Sequence, residues 1–270
     1  VLKIITFIIF VIIIIANLIG KSPLIMLSGL GALAAVFSFV FKDLILGLVA
    51  GVQLTSNDML RIGDWIEVPK YGADGDVIEL SLTTVKVQNF DKTIVTLPAY
   101  ALISDSFKNW RGMQEAGGRR IKRSIFIDTN SIRFCTKEML EKLKKFDYLT
   151  DYIIEKEREI IQYNSDHHVD ENSLFNGRQL TNVGLFRIYI TNYLKKHPKI
   201  HQRMTQLIRQ LPPGEHGLPL EIYVFTNDTN WETFEGVQSD IFDHLLAIVS
   251  EFDLRVFQNP TGYDMRQIKG

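Results

Sequence analysis

The chain has 270 residues, and its 30 lysines and arginines nearly balance its 31 aspartates and glutamates, giving a formal net charge of −1. This balance excludes a strong overall attraction to nucleic acid or to an acidic partner. The single cysteine, Cys135, excludes an internal disulfide framework, and we interpret it as a small buried or half-buried thiol rather than a nucleophile. Residues 1–57 hold almost all the long apolar runs, whereas the rest has the composition of a soluble protein.

The first predicted element is an apolar segment from Val1 to Ile19, interrupted only by Lys3, Thr6 and Asn17. About 17–25 apolar residues suffice to cross a bilayer, and soluble helices of this length normally carry a charged face. The segment is therefore predicted to span the membrane with lipid on every side. A second apolar segment follows at once, which argues against a cleaved signal peptide. Because the chain starts without a methionine or a basic leader, we expect further membrane helices upstream.

The second predicted element, Leu24 to Phe41, is uncharged and also long enough to span a bilayer. Unlike the first, it is rich in small residues, which let helices pack closely in lipid. These are Ser28, Gly29, Gly31, Ala32, Ala34, Ala35 and Ser38. Two interpretations remain open: a helix packed within its own subunit, or a pore helix packed against copies of itself around an axis.

Lys42 and Asp43 then interrupt the apolar run, and Leu44 to Leu54 resumes it with Gly47 and Gly51. This stretch is too short to span a bilayer. We predict a helix at the membrane interface that continues the second segment after a kink. The Lys–Asp pair is open to two interpretations, as an interfacial snorkelling pair or as a gating element.

Short runs rich in β-branched residues follow between residues 65 and 98, separated by turn signals, and predict a small all-β module. After Gly117-Gly118 strands and helices mix, which predicts an α+β domain. Its predicted strands are Ser124–Asp128, Val183–Tyr189, Leu220–Phe225 and Leu254–Phe257, and its predicted helices are Lys137–Lys145 and Trp231–Phe252. The predicted fold class is thus a membrane protein with transmembrane helices, an all-β domain and a C-terminal α+β domain. The predicted boundaries are 1–57, 58–114 and 119–265.

Signals for an enzyme are weak. His167-His168 lies beside Asp166 and Asp170, but in a polar loop without a second pair of ligands at suitable spacing, so we predict no metal site. Glycine-rich phosphate-binding patterns are absent. We therefore predict neither catalytic residues nor a cofactor.

The run Arg61–Val68 resembles the signature that follows the pore helix in the small-conductance mechanosensitive channel family. Further matches occur in the same order along the chain, and together they extend from about Gly29 to Trp110. They are Ala50–Val52, Gly75–Glu79, Asp91, Thr96–Pro98 and Asn109-Trp110. The later stretch Gly217–Tyr223 with Trp231, and the insertion around residues 180–209, resemble the miniconductance subgroup of that family.

Some positions depart from the family pattern. Val85, Lys92 and Ala99 differ from the residues usual at their places, within a module from which no catalytic role is expected. Lys42-Asp43 occupies the place of the family's first glycine kink, so a hinge here cannot depend on glycine flexibility.

The resemblance implies a homoheptamer of identical subunits in the bacterial inner membrane, multi-pass, with the C-terminal domains forming a hollow cytoplasmic vestibule. Its expected partners are the other subunits, membrane lipids and permeating ions, and no nucleic acid. The implied function is a channel that opens under membrane tension and releases ions and small solutes during hypoosmotic shock. The alternative is a membrane-anchored osmotic sensor or scaffold with little conduction.

The resemblance also places the two constriction positions of the pore on Ala35 and Phe39, counted without gaps from Ala50-Gly51. Narrow apolar rings exclude ions because they lose their water. A shift of one residue in register would move the ring to Ser38 or Val40, and Phe39 packed between helices remains an alternative. The implied hinge and gating residues are Lys42, Asp43, Gly47 and Gly51.

Overall fold

The structure is a computed structural model that describes residues 2–170 and 176–259. The chain divides into two compact units, residues 1–112 and residues 113–270. Within the first unit lie both apolar segments and the β module. The predicted three-domain division stays a prediction, and the end of its third domain, residues 260–265, lies outside the described residues.

Both apolar segments are helical. Helix α1 covers Leu2–Ile19 and helix α2 covers Pro23–Ser56. The Ser22 hydroxyl accepts a hydrogen bond from the Leu24 N–H and Pro23 takes the first helical position, a favourable helix start. By length and composition each helix can cross a membrane. The 34 residues of α2 extend for about 51 Å, well beyond a hydrocarbon core of about 30 Å.

Helix α2 continues without a break through Lys42 and Asp43. The predicted interface helix Leu44–Leu54 is therefore not a separate element but the last turns of α2. Neither lysine nor aspartate obstructs an α-helix sterically, and no proline interrupts the run, so the backbone hydrogen bonding persists. A change of direction at this point within the continuous helix stays a prediction.

The β module contains a five-stranded antiparallel sheet of order β4-β3-β2-β1-β5. Its strands are β1 (Trp65–Val68), β2 (Ala73–Leu80), β3 (Thr84–Asn89), β4 (Ile94–Pro98) and β5 (Lys108–Asn109). A short helix, α3 (Ala99–Ser104), separates the last two strands. The strands predicted between residues 65 and 98 are confirmed.

The core of the first unit joins α2 to the sheet. Ala50 and Leu54 of α2 are buried together with the inward-facing residues of the strands. On the strands these are Ile66, Val68, Ala73, Val77, Val85, Val87 and Leu97. Burial of apolar side chains stabilises the folded state by roughly 25 cal/mol for each Å² of apolar surface removed from water. The final turns of α2 are therefore part of the β-domain core.

The second unit is α+β, as predicted. It contains an antiparallel three-stranded sheet of order β6-β8-β7, with strands β6 (Arg119–Ile127), β7 (Leu207–Gln210) and β8 (Leu218–Thr226). Helix α4 (Arg111–Ala116) precedes it, and its other α-helices are α5 (Lys137–Leu143), α6 (Thr150–Asp166), α7 (Asn182–Lys196) and α8 (Trp231–Ile248). Its core lies between the sheet and helices α5 to α8.

Two predicted strands of this unit are wrong. Val183–Tyr189 lies inside helix α7, where Val183, Phe186 and Ile190 are buried at helical spacing. Leu254–Phe257 forms no strand, and contributes only an isolated bridge between Val256 and Ile127. The long helix α6 was not predicted from the sequence.

Candidate functional site

Ala35 and Phe39 lie one turn apart on the same face of α2. The Phe39 side chain is 81% exposed in the chain, among the most exposed of its large apolar groups. Phe37 and Phe41 stack on each other elsewhere on the helix, with ring centroids 6.3 Å apart. Of the three aromatic side chains, Phe39 therefore projects with the least contact to its own chain.

The small-residue segment of α2 is not covered by α1. A Cβ atom added at Gly29 or at Gly31 would meet nothing within 4 Å. In α1 only Ala16 is buried. One interpretation of this segment is that it packs within its own subunit. No contact at Gly29 or Gly31 supports that interpretation.

Lys42 and Asp43 are both exposed on α2, at the end of the uncharged segment. Lys42 follows Phe39 by three residues, so the two lie on the same side of the helix. Exposed apolar side chains such as Leu44 and Ile45 follow the pair directly on the same helix. Both interpretations of the pair, snorkelling and gating, remain open.

Gly47 and Gly51 lie where the β2–β3 turn meets α2. A Cβ atom at Gly51 would lie 2.2 Å from the Leu82 carbonyl oxygen, and one at Gly47 would lie 3.2 Å from Thr83 Cβ. Only a residue without a side chain admits the turn at Gly51. The two glycines thus attach α2 tightly to the β domain, which the sequence did not predict.

Substitution Gly51→Ala should destabilise this junction by about 1–3 kcal/mol, because the obstructing atom belongs to the backbone and has to move. Thermal unfolding of the detergent-purified protein measures the loss. Gly112→Ala is the matched control, since nothing lies within 4 Å of its added Cβ. Equal stability of the two variants would contradict the close packing at Gly51.

The linker between α2 and β1 is fastened by the buried carboxylate of Asp64. Its oxygens accept hydrogen bonds from the Arg61 backbone N–H (2.8 Å), Asn109 Nδ2 (2.9 Å) and Arg111 Nε (2.9 Å). A second Arg111 nitrogen also binds the carboxylate. The Arg111 guanidinium donates further to the backbone oxygen of Asp58 (3.2 Å). The end of α2 and the end of the sheet are thereby tied to one ion pair.

Burial on its own would raise the pKa of Asp64. The hydrogen bonds from Arg111, Asn109 and the Arg61 N–H outweigh it and hold the pKa of this carboxyl below its usual value. The Asp64 side chain is 7% exposed and that of Arg111 is 17% exposed. The pair is thus an ionised, water-poor contact, the kind whose disruption is costly.

Trp65 and Trp110, which belong to two separate parts of the matched signature, lie face to face. Their rings stack with centroids 4.6 Å apart, and Trp65 Nε1 donates to Asp74 Oδ1 at 2.8 Å. Phe90 meets the Trp65 ring edge-on at 5.3 Å. Such aromatic contacts add to the burial energy. These two residues of the signature are therefore explained by packing within the β domain.

Arg111 is the residue of this junction that sequence reasoning missed. It directly follows Asn109-Trp110, yet nothing in the local sequence indicates a partner as distant as Asp64. The sequence as a whole does contain the two charges, because an arginine follows the closing motif and an aspartate lies in the opening motif, and these residue types form strong ion pairs. Only the sheet order, which places β5 beside β1, brings them together.

The residues considered for chemistry have structural explanations. The His167 ring stacks on Tyr163 at 4.0 Å, and its Nδ1 lies 2.8 Å from the Tyr163 carbonyl oxygen. Within the described part of the chain no group of three acidic, histidine or cysteine side chains is placed to hold a metal ion. Cys135 is half-buried, and burial raises its pKa to about 12, so the thiol is protonated at neutral pH.

Comparison with known families supports the resemblance drawn from the sequence. Residues 43–112 match the family model described as "Mechanosensitive ion channel, beta-domain". The match begins within α2 and ends beside Arg111, so it includes the glycine junction and the Asp64 cluster.

Curated proteins that are similar to this chain include two mechanosensitive channels. The low conductance mechanosensitive channel YnaI of Escherichia coli is 25% identical over 228 residues, covering 84% of this chain and 51% of that protein. The small-conductance mechanosensitive channel MscMJ of Methanocaldococcus jannaschii is 25% identical over 130 residues, covering 48% and 34%. The chain thus spans about half or less of the length of these relatives.

Two solved structures share the fold. A cryo-EM structure of Arabidopsis thaliana MSL1 superposes with a TM-score of 0.62 at 15% identity, covering 90% of this chain and 69% of that one. The crystal structure of Helicobacter pylori MscS in its closed state gives a TM-score of 0.57 at 16% identity, covering 96% and 79%. The predicted fold class is confirmed. The matching family model and both curated relatives are named as mechanosensitive channels.

Proposed function

We propose that this chain is the pore-forming part of a channel subunit that opens under membrane tension. The observation that carries the proposal is the construction of α2. Its first part presents an exposed, small-residue face that nothing in the described chain covers at Gly29 and Gly31, and its last part is built into the β-domain core. A helix with these two properties suits a pore wall with a rigid cytoplasmic attachment.

We infer that copies of the same chain cover the uncovered face. Small residues allow the close helix approach that a ring of subunits needs. Close packing is required because lipid provides no hydrophobic driving force for helices to associate. The family resemblance implies that this ring is a homoheptamer. Mass measurement of the purified complex in detergent should give a closed ring of identical subunits. A monomer or a dimer would contradict the pore.

In this ring Ala35 and Phe39 form the constriction, as the resemblance implies. Ala35 is small, so the Phe39 side chains make the narrower of the two rings. Water leaves such an apolar ring, and ions cannot pass while it is dry. The exposure of Phe39 in the single chain supports this assignment.

Tension opens the pore if the open state occupies more membrane area than the closed state. Tension then shifts the equilibrium, as does a ligand that prefers one state. Helix α1 contacts lipid, and Lys42 and Asp43 lie where α2 leaves the membrane. We assign to Gly47 and Gly51 the role of attaching α2 to the β domain. Movement of the pore helix is then transmitted to the sheet through the β2–β3 turn.

We further place the chain in a bacterial inner membrane, with residues 58 to 265 in the cytoplasm. Within the family we assign it to the miniconductance subgroup. Release of ions and small solutes during hypoosmotic shock is the physiological role that follows. A cysteine introduced near His168 should then stay unlabelled by a reagent confined to the periplasm. The alternative of a sensor or scaffold with little conduction predicts the same ring but no tension-dependent current.

A further inference from the structure

A cavity in the second compact unit has a strongly basic lining. It lies where helix α7 ends, and its volume is about 440 Å³, within the range of small-molecule sites. The basic residues of its lining are Lys195, Lys196, His197, His201 and Arg203. No residue described as lining it carries a carboxylate.

The loop that forms the cavity is held rigidly by amide side chains. Gln202 Nε2 donates to the carbonyl oxygens of Leu194 (3.2 Å) and Ile200 (3.0 Å). Asn227 Nδ2 donates to the carbonyl oxygen of Pro198 (2.9 Å). Ile200 is itself buried in the domain core. The basic side chains are thus presented from a fixed backbone, which lowers the entropy cost of binding.

Both histidines are oriented by this loop. The Nδ1 of His197 accepts the Lys199 N–H and the Nδ1 of His201 accepts the Arg203 N–H, each at 3.2 Å. A neutral imidazole has one donor and one acceptor nitrogen. With Nδ1 as the acceptor, the proton lies on Nε2, and each ring has an N–H available for an anionic oxygen.

Stabilisation of the end of α7 accounts for only part of the positive charge that lines the cavity. Lys195 and Lys196 lie in the last turn of α7, where cations complement the helix dipole, and the Lys196 ammonium also lies 5.1 Å from the Tyr148 ring centroid. Arg203 lies outside the helix. Among the described residues, neither Lys195 nor Arg203 has a carboxylate partner.

We propose that this cavity binds a small ligand with two or more phosphate charges. Arginine, lysine and histidine N–H groups are the usual donors to phosphate oxygens, and charge-assisted bonds of this kind are the strong ones. Soluble oligophosphates and the phosphate headgroup of an anionic lipid share this chemistry. The site is independent of the pore, so it can be present whether or not the chain conducts.

Calorimetric titration of the detergent-purified full chain with inorganic triphosphate, at about 150 mM salt, tests the site. The double variant Lys195→Gln, Arg203→Gln should bind at least about tenfold more weakly than wild type, because two charge-assisted contacts are lost. Lys145→Gln is the control, since Lys145 is an exposed lysine that does not line the cavity. A short-chain, water-soluble phosphatidic acid, whose monoester phosphate can carry two charges, is titrated in parallel.

Binding of triphosphate that only the double variant weakens supports the proposal with a soluble ligand. Binding of the phosphatidic acid alone, with the same dependence on the two residues, supports it with a lipid headgroup. Absence of binding by both probes would overturn it. Equal weakening of binding by Lys145→Gln would also overturn the proposal, because the probe would then be attracted by the overall charge of the protein rather than by this cavity.

Discussion

Replacing Phe39 with serine should make the pore leak. If the phenylalanine ring keeps the constriction dry, a hydroxyl at this position lets water enter and lowers the barrier to ions. We expect Phe39→Ser to open at lower tension, with at least about tenfold higher open probability at a given suction, a shift of ~1.4 kcal/mol. Cells that express it should grow poorly, and patch recordings measure the threshold.

Val40→Ser is the matched control for this experiment. Val40 is also exposed in the single chain but lies about 100° around the helix from Phe39, away from the assigned lumen. It should disturb packing in lipid with little leak. Similar behaviour of the two variants, or a Phe39→Ser channel no easier to open than wild type, would show that the pore register is wrong and that Phe39 packs between helices.

The second large effect is expected at the Asp64–Arg111 pair. Arg111→Gln should destabilise the first unit by about 3–5 kcal/mol, because it leaves a buried carboxylate without its counter-charge. Thermal unfolding in detergent measures the loss. Lys108→Gln, which breaks a neighbouring pair with Glu67 whose lysine is 65% exposed, should cost less than about 1 kcal/mol.

The same pair should give the wild-type protein a characteristic acid sensitivity. The folded pKa of Asp64 is depressed. Its contribution to stability is therefore fully present above the pKa of an unfolded aspartate and is lost as the pH falls through the lower folded value. In Asp64→Asn this part of the pH dependence should disappear. Unfolding curves of both proteins with identical acid dependence would contradict the assignment.

Sequence patterns located the elements whose burial is strongly periodic. The helix predicted at Trp231–Phe252 is confirmed as α8 and the 3₁₀ turn that follows it, and its buried residues recur at helical spacing. Helix α6 was not predicted although its sequence is amphipathic. The run of five charged residues Glu155–Glu159 separates its apolar positions, and only Ile153 of its 17 residues is buried. Val183–Tyr189 was misassigned because its β-branched residues favour a strand, although their spacing fits a helix.

The junction between α2 and the β domain could not be predicted for a different reason. Gly51 meets Leu82, and Asp64 meets Arg111, only because the sheet folds back on the end of the helix. These contacts join residues far apart in the chain, and no local propensity encodes them. The resemblance implies that Gly47 and Gly51 are hinge residues, and this stays a prediction. The contacts at both positions are those of residues packed against the β2–β3 turn.

Recording single channels from liposomes that contain only the purified full-length protein, under graded suction, tests the proposed function most directly. We expect discrete current steps whose open probability rises with suction, because lateral tension favours the state of larger area. Current that is absent up to the tension at which the membrane ruptures would contradict the channel and favour a sensor or scaffold. Current that is present but indifferent to suction would contradict gating by tension.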